Sequence, residues 1–257
     1  MEKINSHIQM PKGVLKKFVN QSNSLYYYDI TTKAIKKGTP KSLNTQENYF
    51  NADMEEFLNK KIETPFLKVL RYIENHIDND IFSLPDDFIH SIKEYFNALL
   101  ARNPKMCDDS IESTSLAKFF LNQQSQHILT VLSALEIIEK QNMFGDYSIT
   151  FIKNNTQLPF ILPIMGMYSY TTNNGEKKII LPITEKIAIL MIDNNFLTNY
   201  VDSTGCRILF EINNQDDIIF YNQYALKFQE TLGYGYVVSS DRHIIQSLLN
   251  IDSNKIH

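Results

Sequence analysis

The spacing of apolar positions among polar ones is most regular between residues 83 and 104, where it predicts a helix. Ser83 is suited to cap its start, because a serine hydroxyl accepts a hydrogen bond from a free amide of the first turn. Pro85 then falls in that turn, where a missing N–H costs little. The apolar residues that recur at steps of three and four are Phe88, Ile92, Tyr95, Phe96, Leu99 and Leu100. They predict one buried face. Pro104 disfavours helix at the residue before it, so the helix is expected to end near Arg102.

Arg102 is a candidate functional residue because of this position. It is expected at the negative end of a helix, next to a turn and beside a buried face. Two interpretations are open from the sequence. The guanidinium either caps the last carbonyls or pairs with an acid, or it binds an anion or a substrate.

The part of the chain before residue 83 predicts a hairpin and then a helical run. Residues 25–30 are rich in strand formers, and residues 34–37 can return as a second strand. From residue 53 the spacing is helical up to residue 76, and Pro65 is expected to kink or break the run. Glu56 and Glu63 are seven residues apart and share one side if the helix is continuous. Such carboxylates suit a metal or acid–base chemistry, or they are a solvated helix edge.

A second long helix is expected over residues 114–141, and the character of the chain changes near residue 146. Beyond it, alternating segments separated by turn residues predict a mostly antiparallel sheet, followed by helices over 213–232 and 242–249. The predicted fold class is therefore α+β: a helical core, preceded by a small N-terminal β-hairpin and followed by a sheet with C-terminal helices. We expect one domain over 1–257, with an arm and hairpin at 1–52, the helical core at 53–146, and the sheet with its terminal helices at 147–257.

The composition limits the ligands and the cellular compartment to be expected. The 257 residues have a formal net charge of -4, so no general affinity for nucleic acid or acidic membranes is expected. Two cysteines without CxxC spacing, Cys107 and Cys206, fit a reducing compartment. No signal peptide and no membrane-spanning run is recognisable. We therefore expect a cytoplasmic protein that does not insert in membranes.

One local departure from this charge balance lies near the N-terminus. The lysines of that region are Lys12, Lys16, Lys17, Lys33, Lys36, Lys37 and Lys41. They are interleaved with Tyr26, Tyr27 and Tyr28. Lysines can meet phosphates while bases stack on aromatic rings, so single-stranded nucleic acid is one hypothesis. A solvated strand face is the alternative.

No established catalytic or cofactor motif is present, whether for a phosphate-binding loop, a dinucleotide, a zinc site or a serine nucleophile elbow. The six histidines are scattered without ligand spacing, and neither a metal nor a cofactor is assigned. Near the C-terminus, Ser240, Arg242 and His243 surround a predicted helix start. A helix N-terminus can bind an anion. The other interpretation is a well-capped terminal helix in which Asp241 is the cap.

Several segments, in order, resemble a widespread and mainly bacterial family, domain-of-unknown-function family 4238. The residues that match its opening pattern HxxPxxxLxxF are His7, Pro11, Leu15 and Phe18. The later matching segments are LYYYD at 25–29, ENYF at 47–50, the spaced Glu56 and Glu63, the RxP of 102–104, and ILPIT at 180–184. The resemblance implies that His7, Glu56, Glu63 and Arg102 are polar for a reason other than packing.

One segment departs from the family pattern. The family has a TSDxP-like stretch after the long helix, whereas this chain has NTQLP, with Gln157 in place of the acid. If that acid takes part in a family activity, this protein has lost the activity or performs it differently. The resemblance implies no assigned chemistry.

Two functional hypotheses from different classes remain open. In the first, His7, Glu63 and Arg102 meet between the N-terminal arm and the helical core and form the site of a nuclease-like or nucleotide-processing effector in phage defence or toxicity. In the second, the protein is a non-catalytic interaction module with a protein partner or a homo-oligomeric state. There, His7 and Arg102 form a buried polar lock that pins the arm to the helices.

Overall fold

The computed structural model describes residues 5–7, 9–43, 45–47, 49–78, 83–102, 123–200 and 209–251. The chain divides into two compact units. The first comprises Met1–Gly13 with Asn44–Gly145, and the second comprises Val14–Leu43 with Asp146–His257. The short helix α1 (Lys12–Leu15), continued by a 3-10 turn over Lys16–Phe18, contains the division. The predicted domain boundaries stay a prediction.

The first unit is mainly helical. Its elements are strand β1 (Asn5–His7), strand β4 (Thr45–Glu47), α2 (Ala52–Phe57), a π-helical segment (Leu58–Glu63), α3 (Thr64–His76), α4 (Asp86–Ala101) and α5 (Gln123–Gln141). β1 and β4 pair antiparallel, with His7 opposite Thr45. The core side chains from α2 to α4 are Met54, Leu58, Ile62, Phe66, Val69, Leu70, Ile73, Ile92, Tyr95, Phe96 and Leu99. The helical face predicted from the spacing is thus the buried one.

Helix α4 begins later than its sequence pattern suggests. The prediction that Ser83 is its N-cap is wrong, because Pro85 occupies the cap position and the helix begins at Asp86. The Pro85 carbonyl accepts the first helical hydrogen bonds, from the amides of Phe88 and Ile89. The carbonyl of Ser83 instead accepts a hydrogen bond from the Tyr72 hydroxyl at 3.2 Å. The predicted end near Arg102 is confirmed.

Pro65 does not break the helical run of the first unit. It lies in the first turn of α3, directly after the π-helical segment. There the Thr64 amide bonds to the Asn59 carbonyl, five residues back. A proline removes one i→i−4 bond and crowds the carbonyl four residues back. The residues before and after the proline are nevertheless all helical, with a wider π-turn just before it.

The second unit is built on two sheets. Its strands are β2 (Leu25–Asp29), β3 (Ala34–Gly38), β5 (Tyr147–Asn154), β6 (Leu162–Pro163), β7 (Tyr168–Thr171), β8 (Lys177–Pro182), β9 (Ile187–Asp193), β10 (Phe210–Ile212) and β11 (Tyr236–Ser239). The five-stranded sheet has the order β10-β5-β9-β8-β7, and the four-stranded sheet has the order β3-β2-β11-β6. All described pairs are antiparallel except β10 with β5. The α+β class with a mostly antiparallel sheet is confirmed.

The N-terminal hairpin is part of this second unit. β2 and β3 pair antiparallel, as predicted, and β2 also pairs with β11 near the other end of the chain. Two helices complete the unit, α6 (Gln215–Leu232) and α7 (Arg242–Asn250). A 3-10 segment over Asn194–Tyr200 follows β9.

The core of the second unit joins both sheets to the two helices. Among its buried members are Tyr28, Ile152, Phe160, Tyr168, Ile180, Leu190, Ile218, Ala225, Val237 and Ile245. In the part of the chain that the structure describes, no helix has the length and apolar character needed to cross a membrane.

Candidate functional site

Arg102 is the C-terminal cap residue of α4, and its backbone amide donates to the Ala98 carbonyl at 3.1 Å. The residue is 4% exposed. A charged side chain is seldom buried to this degree unless it is paired. The partners of its guanidinium therefore decide what it can do.

Two of the three guanidinium nitrogens have partners in the first unit. Nη2 donates to Oε1 of Glu63 at 2.8 Å. Nη1 donates to the backbone carbonyl of Gln9 at 3.2 Å. The Arg102 side chain is 2% exposed and that of Glu63 is 23% exposed, so the carboxylate is the part of the pair that water reaches.

The third nitrogen, Nε, is buried and has no hydrogen-bond partner among the residues that the structure describes. A buried donor without a partner costs about 1–3 kcal/mol. Arg102 thus has one donor that no described residue accepts from.

Tyr95 belongs to the same buried region. Its ring is stacked on that of Phe66, with centroids 3.6 Å apart, and its hydroxyl donates to Sδ of Met10 at 3.5 Å. Burial raises the pKa of Tyr95 well above its usual range; the charge of Glu63 raises it further and that of Arg102 opposes the increase. The phenol is therefore neutral at physiological pH and contributes packing without charge.

Glu56 and Glu63 have different cationic partners in the structure. Glu56 is exposed and forms an ion pair with Lys60, whereas Glu63 binds Arg102. The hydrogen bond and charge of Lys60 lower the pKa of Glu56. A shared side for the two glutamates required an uninterrupted α-helix, and the π-helical segment between them changes the rotation per residue.

The backbone of His7 lies in β1, but its side chain lies outside the described part of the structure. Of the predicted trio, the structure therefore brings Glu63 and Arg102 into contact. The participation of His7 stays a prediction.

The second candidate region is the start of α7, where Asp241 is the N-cap as predicted. Its carboxylate accepts a hydrogen bond from the His243 amide at 2.8 Å. The hydroxyl of Ser240 binds the carboxylate of Glu185. An anion approaching Ser240, Arg242 or His243 would thus encounter two carboxylates, which already accept from the Ser240 hydroxyl and the His243 amide. Arg242 and His243 are exposed, and their role as anion ligands stays a prediction.

Gln157 is exposed in the bend after β5, whereas its neighbour Thr156 is buried. The Thr156 hydroxyl donates to Oδ1 of Asn154 at 2.8 Å. Within the described ranges, no three His, Cys, Asp or Glu side chains are grouped as a metal site would require.

The sequence did not single out Gln9 as a partner of Arg102. Its contribution is a backbone carbonyl, which every residue has, so side-chain chemistry offers no signal for it. A related observation comes from the structure, in which Gln9 and its neighbour Met10 are both buried.

No protein-family model matches the chain, and neither the curated proteins nor the solved structures contain a significant match to it. The resemblance to domain-of-unknown-function family 4238 stays a prediction.

Proposed function

We propose that the protein is a non-catalytic, cytoplasmic interaction module in which Arg102 serves as a structural polar lock. The observation that carries the proposal is the closure of the guanidinium: it is 2% exposed and held by Glu63 and by the Gln9 carbonyl. An arginine that binds a substrate must present donors to it. This one directs two of its nitrogens to the protein itself.

The hydrogen bond from Arg102 to the Gln9 carbonyl connects distant parts of the chain. It joins the segment before α1 to the end of α4, which lies 93 residues further along the chain. Such a bond restricts the motion of the N-terminal segment. It also keeps the Arg102 guanidinium bonded to protein groups rather than to water. The lock therefore supports a fixed surface for a protein partner or a second copy of the chain.

A second candidate function, the nuclease-like or nucleotide-processing effector, has one observation in its favour. Nε of Arg102 has no partner in the described residues, and the adjacent Glu63 carboxylate is 23% exposed. A small anion reaching this position would find a donor and a carboxylate. Under this hypothesis, His7 would supply the general acid or base, and a role in phage defence or toxicity would follow.

Turnover by the purified chain separates the two candidates. The wild type and Arg102→Lys are incubated with nucleoside triphosphates, dinucleotides, RNA and DNA, and products are measured by chromatography. Arg102→Lys keeps the charge but loses the planar fork of donors. The module hypothesis expects no turnover by the wild type and a lower melting midpoint for the variant. Turnover that disappears in Arg102→Lys at an unchanged melting midpoint would replace the module by the enzyme.

A further inference from the structure

The hairpin of the second unit is the centre of a basic segment in an acidic protein. Residues 12–41 contain seven lysines and one acidic residue, Asp29, for a net charge of +6, whereas the whole chain has -4. Charge concentrated in this way directs a polyanion to one part of a protein surface. The proposed function concerns residues of the first unit and assigns no role to this segment.

The strand register places aromatic and charged side chains together on one face of the four-stranded sheet. Tyr27 lies opposite Lys36 on β3, and Asp29 lies opposite Tyr236 on β11. Residues directly opposite each other, and residues two apart along a strand, share a face. The rings of Tyr27 and Tyr236 are in edge contact, with centroids 5.0 Å apart.

The acid within this group does not oppose an incoming anion. Oδ1 of Asp29 accepts hydrogen bonds from the Thr31 and Thr32 amides, and Oδ2 accepts one from Lys36 at 2.7 Å. The carboxylate is 12% exposed, while the Lys36 side chain remains 42% exposed. The carboxylate charge is thus balanced inside the hairpin, and the lysine still reaches solvent.

Two further lysines belong to the same hairpin. Lys33 in the hairpin turn and Lys37 on β3 are exposed, and neither forms an ion pair with any residue that the structure describes. Lys37 lies opposite Tyr26, so it is on the other face of the sheet from the two rings. Lysines on an edge strand such as β3 also hinder edge-to-edge aggregation. That explanation does not account for two partly exposed tyrosine rings in contact on the same sheet.

We infer that the face formed by β3, β2 and β11 binds single-stranded nucleic acid. Tyr27 and Tyr236 supply ring surfaces on which bases stack, while Lys36 on the same face and Lys33 in the hairpin turn contact the phosphates. Stacking accepts any base, since each has a π-face. Binding is therefore expected to be independent of sequence and sensitive to salt. The inference goes beyond the proposed function and involves none of the groups around Arg102.

Fluorescence anisotropy with the full chain tests the inference. The probes are labelled oligothymidylate and oligouridylate of about 16 nucleotides, within the range of sites known for such surfaces, and a labelled duplex of equal length. The salt concentration is about 50 mM, since phosphate contacts weaken steeply above it. We expect saturable binding of at least one single-stranded probe and weaker binding of the duplex.

Matched variants locate the surface. Tyr27→Leu and Tyr236→Leu are each expected to weaken binding about fivefold or more, the loss of one stacked base. Tyr224→Leu, which removes a half-buried ring on α6, is the control and is expected to leave binding unchanged. Lys33→Gln with Lys36→Gln is expected to reduce the slope of log affinity against log salt by about 1.4. The control for that pair is Lys177→Gln with Lys227→Gln.

Three results would overturn the inference. They are no saturable binding by the wild type, duplex binding as tight as single-strand binding, and a loss in the control variants equal to that in the hairpin variants. Circular dichroism melting of each variant confirms that it is folded before binding is measured. A failed binding test leaves the Arg102 lock intact, because that claim is tested by thermal stability in the other unit.

Discussion

Arg102 and Glu63 form a hydrogen-bonded ion pair of 2.8 Å in which the cation is almost fully buried and the carboxylate partly exposed. The two residues lie 39 positions apart, so the pair links the π-helical segment to the end of α4. A pair of this kind is costly to break from the carboxylate side, because the charge of Arg102 would then remain in a poorly solvated place. This pair is the one on which the proposed lock depends.

The buried amide of Asn222 on α6 predicts a large loss of stability on substitution. Its Oδ1 accepts from the Ile161 amide at 3.0 Å, and its Nδ2 donates to the Pro159 carbonyl at 2.9 Å. Asn222→Leu leaves both backbone groups without a partner, which is expected to cost about 2 kcal/mol or more. Urea denaturation should show a lower midpoint.

The control for Asn222 is Asn213→Ala. Asn213 accepts a hydrogen bond from the Asn155 side chain, and both residues are exposed. Its loss is expected to stay within about 0.5 kcal/mol. Equal effects of the two substitutions would show that the amide of Asn222 does not anchor the segment before β6.

Local signals made much of this fold predictable. The helix ending near Arg102 and the hairpin of β2 and β3 each depend on residues close in the chain. The Asn-Asn-Gly sequence at 173–175 is a turn signal of the same local kind, and Gly175 has a φ of 84° there. Such features follow from periodicity and turn chemistry alone.

Long-range relations were not predictable in the same way. The pairing of β2 with β11 joins Asp29 to Tyr236, and no local pattern specifies which strand an edge will meet. The π-helical segment before Pro65 was also missed, because a proline in a helical pattern ordinarily indicates an interruption. In the candidate site, the contact between Glu63 and Arg102 could be predicted from their opposite charges. The contact of Arg102 with the Gln9 carbonyl could not.

Gly235 predicts a second loss of stability, with a matched glycine nearby. Its φ is 82°, and a Cβ added there would lie 2.7 Å from Cγ2 of Ile164 and 2.9 Å from Nε2 of Gln229. Gly235→Ala therefore combines backbone strain with a steric conflict next to the hydrogen bond from Gln229 to the Tyr234 carbonyl.

Gly233→Ala is the control, because Gly233 has a φ of 78° and open space at the same position. The control is expected to cost about 1–2 kcal/mol for the left-handed backbone alone. Gly235→Ala should cost more than this in the same urea titration. If the two variants have the same midpoint, the close approach to Ile164 has no energetic consequence.

Asp29 predicts a pH dependence within the hairpin. Burial raises the pKa of Asp29, but the hydrogen bonds from Lys36 and Thr32 and the Lys36 charge outweigh burial, so its pKa is lowered overall. Its contribution to stability is therefore fully present above the unfolded-state pKa of about 3.9. It is lost as the pH falls through the lower folded-state pKa.

Carboxyl NMR titration of Asp29 measures this shift directly. In Lys36→Gln the ammonium is absent, and the pKa of Asp29 is expected to rise relative to the wild type. Lys140→Gln, which removes an exposed lysine paired with Glu136 in the first unit, should leave Asp29 unchanged. A pKa of Asp29 that is the same in the wild type and Lys36→Gln would remove Lys36 as a cause.

The most direct test of the central claim compares a buried and an exposed glutamate pair of the first unit by thermal denaturation. Arg102→Ala breaks the buried pair with Glu63 and is expected to cost about 3–5 kcal/mol, a fall in Tm of roughly 6–20 °C for a chain of this size. Lys60→Ala breaks the exposed pair with Glu56 and should cost at most about 0.5 kcal/mol. A large fall for Arg102→Ala beside an unchanged Tm for Lys60→Ala is the result that a structural lock predicts. An unchanged or raised Tm for Arg102→Ala would contradict it and would mean that Arg102 is held in place for binding or chemistry.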